Sequence, residues 1–373
     1  MILYRTLTTL GLRESLISLY FPPKGVNIHD DEARMEISER NPSYVFILDQ
    51  GSRKSPPIAT VPHKCLVIDH HFAEEGGFPE GAQYVTAHDC PPVATSSLLT
   101  YLICEELHPS VEETTSWLAA LGTHGDLGNT LKWLPPFPDM TATFKQYSKK
   151  AINDAVALIN APRRSAAYNV QDAWTTLLSS NGPESILKNV ELMKAKNEAS
   201  REIEKWTRTA PQFSADATVA VIKISSPAQV HPVIAQRWSG TLSSKKLEIA
   251  MCANEGYLPG LVNFSCRIVK SAKEREGDDQ VNIIKKLRSI VAADPDLEAR
   301  MGPNFARGHK EASGGIVRKE EFDDLMKLMG VGPSVRKKAE NGDKKDVKKV
   351  VQKNTLANYF QKSKAKEVEE AKE

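Results

Sequence analysis

The sequence predicts an α/β protein with two folded parts and a tail. A parallel-sheet domain over residues 1–183 is joined by a long helix, 184–210, to a smaller α/β domain over 211–332, and a disordered Lys-rich tail runs from 333 to 373. Three observations carry this reading. Short apolar runs alternate with amphipathic stretches through the first half, the pattern of a parallel sheet covered on both faces. The segment ESILKNVELMKAKNEASREIEKW, 184–206, is charged and free of Gly and Pro, as a long connecting helix requires. Beyond Gly332 apolar residues thin out and lysines dominate, so burial there cannot offset the entropy of ordering.

Length and composition agree. A chain of 373 residues has room for two cores, since single cores stop growing at about 100–200 residues per domain. The apolar fraction of 40% and charged fraction of 26% are those of a soluble globular protein. No stretch approaches the roughly 20 unbroken apolar residues of a membrane span. The opening MILYRTLTTLG has neither a basic-then-apolar region nor a small-residue cleavage site, so the expectation is a nuclear or cytoplasmic protein that is not secreted. Cys65, Cys90, Cys104, Cys252 and Cys266 are scattered and never spaced Cys-x-x-Cys, which argues against a disulfide framework or structural zinc and predicts buried thiols. Net charge is only +2, and the basic excess gathers between Arg336 and Lys372.

In chain order, SLISLYF (15–21) is expected as a strand and HDDEARMEISERNP as a short helix closed by Pro42. SYVFILD (43–49) and KCLVID (64–69) read as buried strands. A helix begins near Thr95 or Ser96, both suitable caps, with Leu98, Leu99, Leu102 and Ile103 on one face. VEETTSWLAALGT makes a further helix leading into HGDLGN, and 140–182 is largely helical. After Pro211 come a strand (ATVAVIKIS), a helix (HPVIAQRWSG), two strands (KKLEIAMCAN, GLVNFSCRIV), a helix (VNIIKKLRSIVAA) and a Gly-rich segment.

The chemistry sits at element ends. Asp49 ends SYVFILD, Asp69 and His70 end KCLVID, and Asp126 follows the helix ending LAALGTHG. In a parallel sheet the crevice lies beyond the carboxyl ends of the strands. Carboxylates mixed with imidazole suit Mn²⁺, Fe²⁺ or Zn²⁺, and a pair of such ions activates water for attack at phosphorus. One Asp at a strand end is more often a turn or cap residue; the coincidence of three ends is what points to a site.

These residues resemble a known family. Asp49 in ILDQG, the triplet Asp69-His70-His71 and Asp126 in GTHGDLG resemble the second, third and fourth motifs of the DHH phosphoesterases, the group of RecJ exonucleases, nanoRNA phosphatases and cyclic-dinucleotide phosphodiesterases. ARGHKEASGGIV (306–317) resembles the glycine-rich signature of the DHH-associated C-terminal domain, and FSCR its strand-borne arginine. The resemblance implies that Asp49 bridges two metals, Mn²⁺ or Mg²⁺, that His70 ligates one and that Asp126 completes its shell. It makes Asp69 and His71 catalytic, as supporting or substrate-side groups. Arg267 and His309 would hold substrate phosphates, Lys310 completes the GHK signature, and Gly308, Gly314 and Gly315 let the backbone approach closely.

The family's first motif, His-x-Asp-x-Asp on a strand end, has no counterpart here. The chain opens on MILYRTLTTLGL, which resembles the helix that follows that motif, so one metal is expected to lack ligands and hydrolysis to be impaired, through shortening of the chain or loss of activity. His29-Asp30-Asp31 in NIHDDEA reads instead as a helix cap and acidic first turn.

In the tail, KNTLANYFQKS places Leu356 three residues before Tyr359 and Phe360, an apolar plug on one helical turn that resembles the motif by which replication proteins dock on the sliding clamp, PCNA. The sequence therefore predicts a metal-dependent phosphodiesterase of exonuclease type acting on single-stranded nucleic acid or short oligonucleotides. Two alternatives stand beside it: a non-catalytic DHH scaffold that binds nucleic acid or a replication partner, and a nucleotide or cyclic-dinucleotide phosphodiesterase.

Overall fold

The computed structural model describes residues 1–332 apart from Pro91 and Glu276. Leu356, Tyr359 and Phe360 lie outside the described residues. Met1–Gly332 forms one compact unit.

Helix α1 (Ile2–Thr9) opens the chain and α2 (Asp31–Glu39) follows, with Asp30 at its N-cap position and Asp31 and Glu32 in its first turn. Asp31 and Glu32 suit the positive end of the helix dipole, the acidic first turn expected for NIHDDEA, but the Asp30 carboxylate makes no cap hydrogen bond and accepts from the Asn27 amide at 2.8 Å instead. Strands β1 (Tyr44–Leu48), β2 (Lys64–Asp69) and β3 (Ala82–Thr86) make a parallel sheet in that order, with Leu48 opposite Ile68 and Asp69 opposite Thr86. Its inner face packs Ile47, Cys65 and Val67 against Ile28, Ile37, Ile58 and Phe78. Helices α3 (Ser96–Glu105) and α4 (Ser110–Leu127) bury Leu98 and Trp117 in a separate helical core that also holds Ile152, Ile186 and Leu192.

Several expectations are corrected. Residues 15–21 form no strand: Glu14–Leu16 is a single 3-10 turn, and Leu16 and Leu19 are exposed. Pro22 and Pro23 have no N–H to continue a ladder, and the Arg40 guanidinium takes the Leu19 carbonyl instead. The helix expected over 184–210 is interrupted. A short turn, Pro183–Ile186, precedes the main helix Val190–Thr207, because the Asn189 side chain accepts from the Leu192 amide at 3.0 Å and restarts the helix as its cap. Leu192 lies in the helical core and Ile203 in the core of the second sheet, so this one helix contributes to both. Cys65, Cys104, Cys252 and Cys266 are buried as expected, but Cys90, in the turn after β3, is exposed.

The second sheet is mixed, in the order β4 (Gln212–Phe213), β5 (Val219–Ile224), β6 (Ile249–Asn254), β7 (Leu261–Ile268), β9 (Ala312–Arg318), β8 (Arg307–His309). Only β5 and β6 pair in parallel, and the helix His231–Thr241 crosses between them. β6 is buried along its whole length, which is why IAMCAN reads as an unbroken small-and-apolar run. The Gly-rich segment forms the β8–β9 hairpin, docked on β7.

Candidate metal centre

The parallel strands deliver their carboxyl ends to one place. Asp49 follows β1, and its amide extends the ladder to the Ile68 carbonyl at 3.0 Å. It adopts a left-handed backbone, φ 61°, a conformation that Asp tolerates better than most residues but one usually held in place by its surroundings. Asp49 is thus both the turn residue that local statistics favour and a member of the site. The Ser96 hydroxyl, at the start of α3, donates to Asp49 Oδ1 at 2.9 Å.

Asp69 ends β2 and is buried. Its Oδ1 accepts from the His70 amide (2.8 Å), the His71 amide (3.3 Å) and His71 Nδ1 (2.7 Å), while Oδ2 accepts from the Ser52 amide at 3.1 Å. Burial alone would raise this carboxyl, but the bonds and charge of His71 outweigh it and hold Asp69 well below the usual carboxylate range. Asp69 therefore serves His71: with Nδ1 donated to the carboxylate, His71 presents Nε2 outward, and the same partner outweighs burial to raise the imidazole above its ordinary value.

His70 is buried with its Nε2 3.4 Å from Asp49 Oδ1 on one side and 3.4 Å from Asp126 Oδ2 on the other. These are long for hydrogen bonds. A carboxylate oxygen on each side of an imidazole nitrogen at that separation is an arrangement in which the three groups can turn toward one shared ion. Its Nδ1 is buried with no partner among the described residues. Desolvation pulls Asp49 upward, yet the neighbouring His70 and His71 imidazoles and the hydrogen bond from Ser96 hold it below the ordinary carboxylate range.

Asp126 is corrected in its placement. It lies inside the last turn of α4, which ends at Leu127 with Gly128 as its C-cap, rather than after the helix. A carboxylate there faces the negative end of the helix dipole, at a cost of a few tenths to about 1 kcal/mol, and a cation shared with His70 would offset it. Two residues earlier, His124 is fixed from both sides: Nδ1 pairs with Asn153 Oδ1 at 2.8 Å and Nε2 accepts from Trp133 Nε1 at 3.0 Å.

The second sheet completes the site. His309 on β8 stands 5.6 Å from His70 and 5.4 Å from His71, centroid to centroid. Ring nitrogens of His70, His71 and His309 lie within 4.8 Å of one another, as do ligand atoms of Asp49, Asp69 and His71. Burial, followed by the charges of His71 and His70, lowers the His309 pKa. Register places Arg267 opposite Ala312 and Ala312 opposite His309, so Arg267 is two strands away on the same row, about 10 Å off. Its guanidinium donates to Ser265 Oγ and the Cys266 carbonyl, both at 2.9 Å. Lys310 is exposed at the hairpin turn.

The signature glycines meet a need of the sheet itself. A Cβ on Gly314 would lie 2.3 Å from the Phe264 carbonyl oxygen, and one on Gly315 2.8 Å from that of Asn304. Gly308 has φ 109° and would strike the Ala312 oxygen at 2.6 Å.

Among solved structures, the chain is similar to the DHH domain of a member of a family of ribosomal proteins, with a TM-score of 0.51 and 14% identity over 77% of this chain and 68% of that one. The chain has the DHH fold. A pGpG-specific phosphodiesterase, PggH from Vibrio cholerae, superposes with a TM-score of 0.41 and 10% identity over 89% of this chain and 96% of that one. No protein-family model matches the chain, and neither does any curated protein.

Within the DHH fold the sequence-predicted residues Asp49, Asp69, His70, His71, Asp126 and His309 converge, whereas Arg267 stands at the margin of the cluster. Ser96, Ser52 and Arg307 were not anticipated. Arg307 donates to the Ser52 carbonyl at 3.0 Å, and its only sequence signal is its place just ahead of the GHK run. Among the described residues, no helix is long and apolar enough to cross a membrane.

Proposed function

We propose that the chain is a divalent-metal-dependent phosphodiesterase of exonuclease type, acting on single-stranded nucleic acid or short oligonucleotides. The observation that carries this reading is the placement of His70 Nε2 between Asp49 and Asp126, with His71 and His309 facing the same point from two different sheets. Asp49, His70 and Asp126 would hold the ion, Mn²⁺ or Mg²⁺. Bound there, it supplies Lewis-acid stabilisation of a phosphoryl oxygen and acidifies the attacking water. His71, with Nδ1 committed to Asp69, holds a proton at Nε2 within reach of a leaving oxygen. His309 and Arg267 receive the phosphate oxygens, and Asp69 fixes the tautomer of His71 without itself exchanging a proton.

The test is Mn²⁺-dependent release of nucleotides from a short single-stranded oligonucleotide, with His70→Ala as the comparison. Activity that disappears in the variant supports the reading. A wild-type chain that binds oligonucleotide and leaves it intact in Mn²⁺ or Mg²⁺ would replace it with the non-catalytic scaffold. Independently of turnover, Mn²⁺ at 100 times its Kd should stabilise the wild-type fold by about 2.7 kcal/mol. His70→Ala and Asp49→Ala should lose that increment.

A further inference from the structure

Beside the metal centre, the loops after β1 and β2 and the segment leading into β8 enclose a cleft of about 530 Å³. Arg53, Arg288 and Arg307 line it, from three separate stretches of chain. Arg53 donates to Asn304 Oδ1 at 3.3 Å and Arg307 to the Ser52 carbonyl at 3.0 Å, both neutral acceptors, so neither guanidinium is tied up in an ion pair. After burial, the charges of Arg53 and Arg288 are what push the Arg307 guanidinium down, so the three cations are close enough to repel. Glu74 and Asp69 relieve part of that repulsion; Glu74, Glu75 and Glu298, all exposed, line the cleft too, against the four cations Arg53, Lys54, Arg288 and Arg307. Cations gathered closely enough to repel one another define a place where an anion is favoured.

Ser52 supplies a second, independent sign. It is 5% exposed, lines the same cleft, and its hydroxyl has no hydrogen-bond partner among the described residues. A buried hydroxyl left unpaired costs about 1–3 kcal/mol, which a ligand oxygen would recover. Ser52 is also the wall between cleft and metal centre, since its amide donates to Asp69 while its carbonyl accepts from Arg307.

We propose that this cleft is a second phosphate subsite, holding the phosphate next to the scissile one, with Arg53, Arg288, Arg307 and the Ser52 hydroxyl as its donors. The spacing fits a polynucleotide. His309 at the metal cluster and Arg307 at the cleft are two residues apart on β8, about 7 Å along a strand, on the order of one backbone repeat of an extended single strand. The inference rests on the phosphodiesterase reading and sharpens it: the preferred substrate carries at least two consecutive phosphates.

The experiment is equilibrium binding of a fluorescein-labelled oligothymidylate to the full chain in EDTA, by anisotropy over a range of salt concentrations. Arg288→Gln and Arg53→Gln should each weaken binding about tenfold and reduce the log–log salt slope by about 0.7, the value for one contact on a single strand. Arg288→Lys, which keeps the charge, should retain the slope. Unchanged affinity and slope in both Gln variants would overturn the subsite, as would a loss that Arg288→Lys does not restore. Hydrolysis takes no part in this measurement. A chain that binds through the cleft and never cuts therefore refutes the phosphodiesterase reading alone, and one that cuts oligonucleotide with the same KM in wild type and Arg288→Gln refutes the subsite alone.

Discussion

His309 stacks on His71 with ring centroids 5.4 Å apart and planes 14° from parallel. One ring comes from the end of the parallel sheet and the other from the β8–β9 hairpin, so the two sheets meet through their imidazoles. If His309 receives a phosphate oxygen there, its removal costs the binding step. A hydrogen bond to a charged group is worth about 1.5–3 kcal/mol, so His309→Ala should raise KM for an oligonucleotide about 10- to 100-fold. Steady-state kinetics with a parallel melting curve checks this: a melt that collapses along with activity would make the stack structural, and an unchanged KM would exclude phosphate contact.

The glycines separate two demands. Gly314→Ala drives a Cβ toward the Phe264 carbonyl oxygen at 2.3 Å within a paired strand, where backbone cannot step aside. The expected cost is about 1–3 kcal/mol. Gly240 lies inside the helix His231–Thr241 with open space where a Cβ would go, so Gly240→Ala should stabilise by up to about 1 kcal/mol. Urea midpoints of the two variants should move in opposite directions; a neutral Gly314→Ala would mean that the hairpin relaxes freely.

Strand ends were legible because the chemistry is local: an apolar run stops abruptly on Asp69 and His70, and buried strands show such runs whatever surrounds them. The β8–β9 hairpin was not, because ASGGIVR has the composition of a loop and becomes a strand only through pairing with β7. SLISLYF failed in the opposite sense, carrying strand-forming residues but no partner strand. At the site, the ligands were readable from residue type, whereas Ser52, Ser96, Arg53 and Arg288 were not. An exposed arginine or a helix-start serine carries no sign of what it faces until distant loops, such as those around Ser52 and Arg307, are brought together.

The apolar triad Leu356, Tyr359 and Phe360 yields a prediction from sequence alone. If it docks in a hydrophobic groove of the sliding clamp as one helical turn, Tyr359→Ala and Phe360→Ala should each remove most of the retention on immobilised PCNA. Purified components should be used, so that bridging proteins play no part. Equal retention of both variants and wild type would dismiss the motif.

His231 makes the fold sensitive to acid. It is 5% exposed, its Nδ1 has no partner among the described residues, and burial, followed by the charges of Arg267 and Arg163, lowers its pKa to about 3. An unfolded imidazole titrates near 6.5. Between those two values the unfolded chain binds the proton and the folded chain does not, so stability that is fully present above 6.5 drains away as pH falls and the loss is complete only near 3. From pH 6.5 to 5 this single group should remove on the order of 1–2 kcal/mol. His231→Asn cannot take up that proton, so its unfolding free energy, from urea titrations at pH 7, 6 and 5, should fall less steeply than that of the wild type. Other depressed histidines, His29 and His124 among them, contribute equally to both proteins and cancel in the difference. Parallel curves for the two proteins would mean that His231 is protonated in the folded chain, and its position beside Arg267 would then have to be relieved by movement of the helix that carries it.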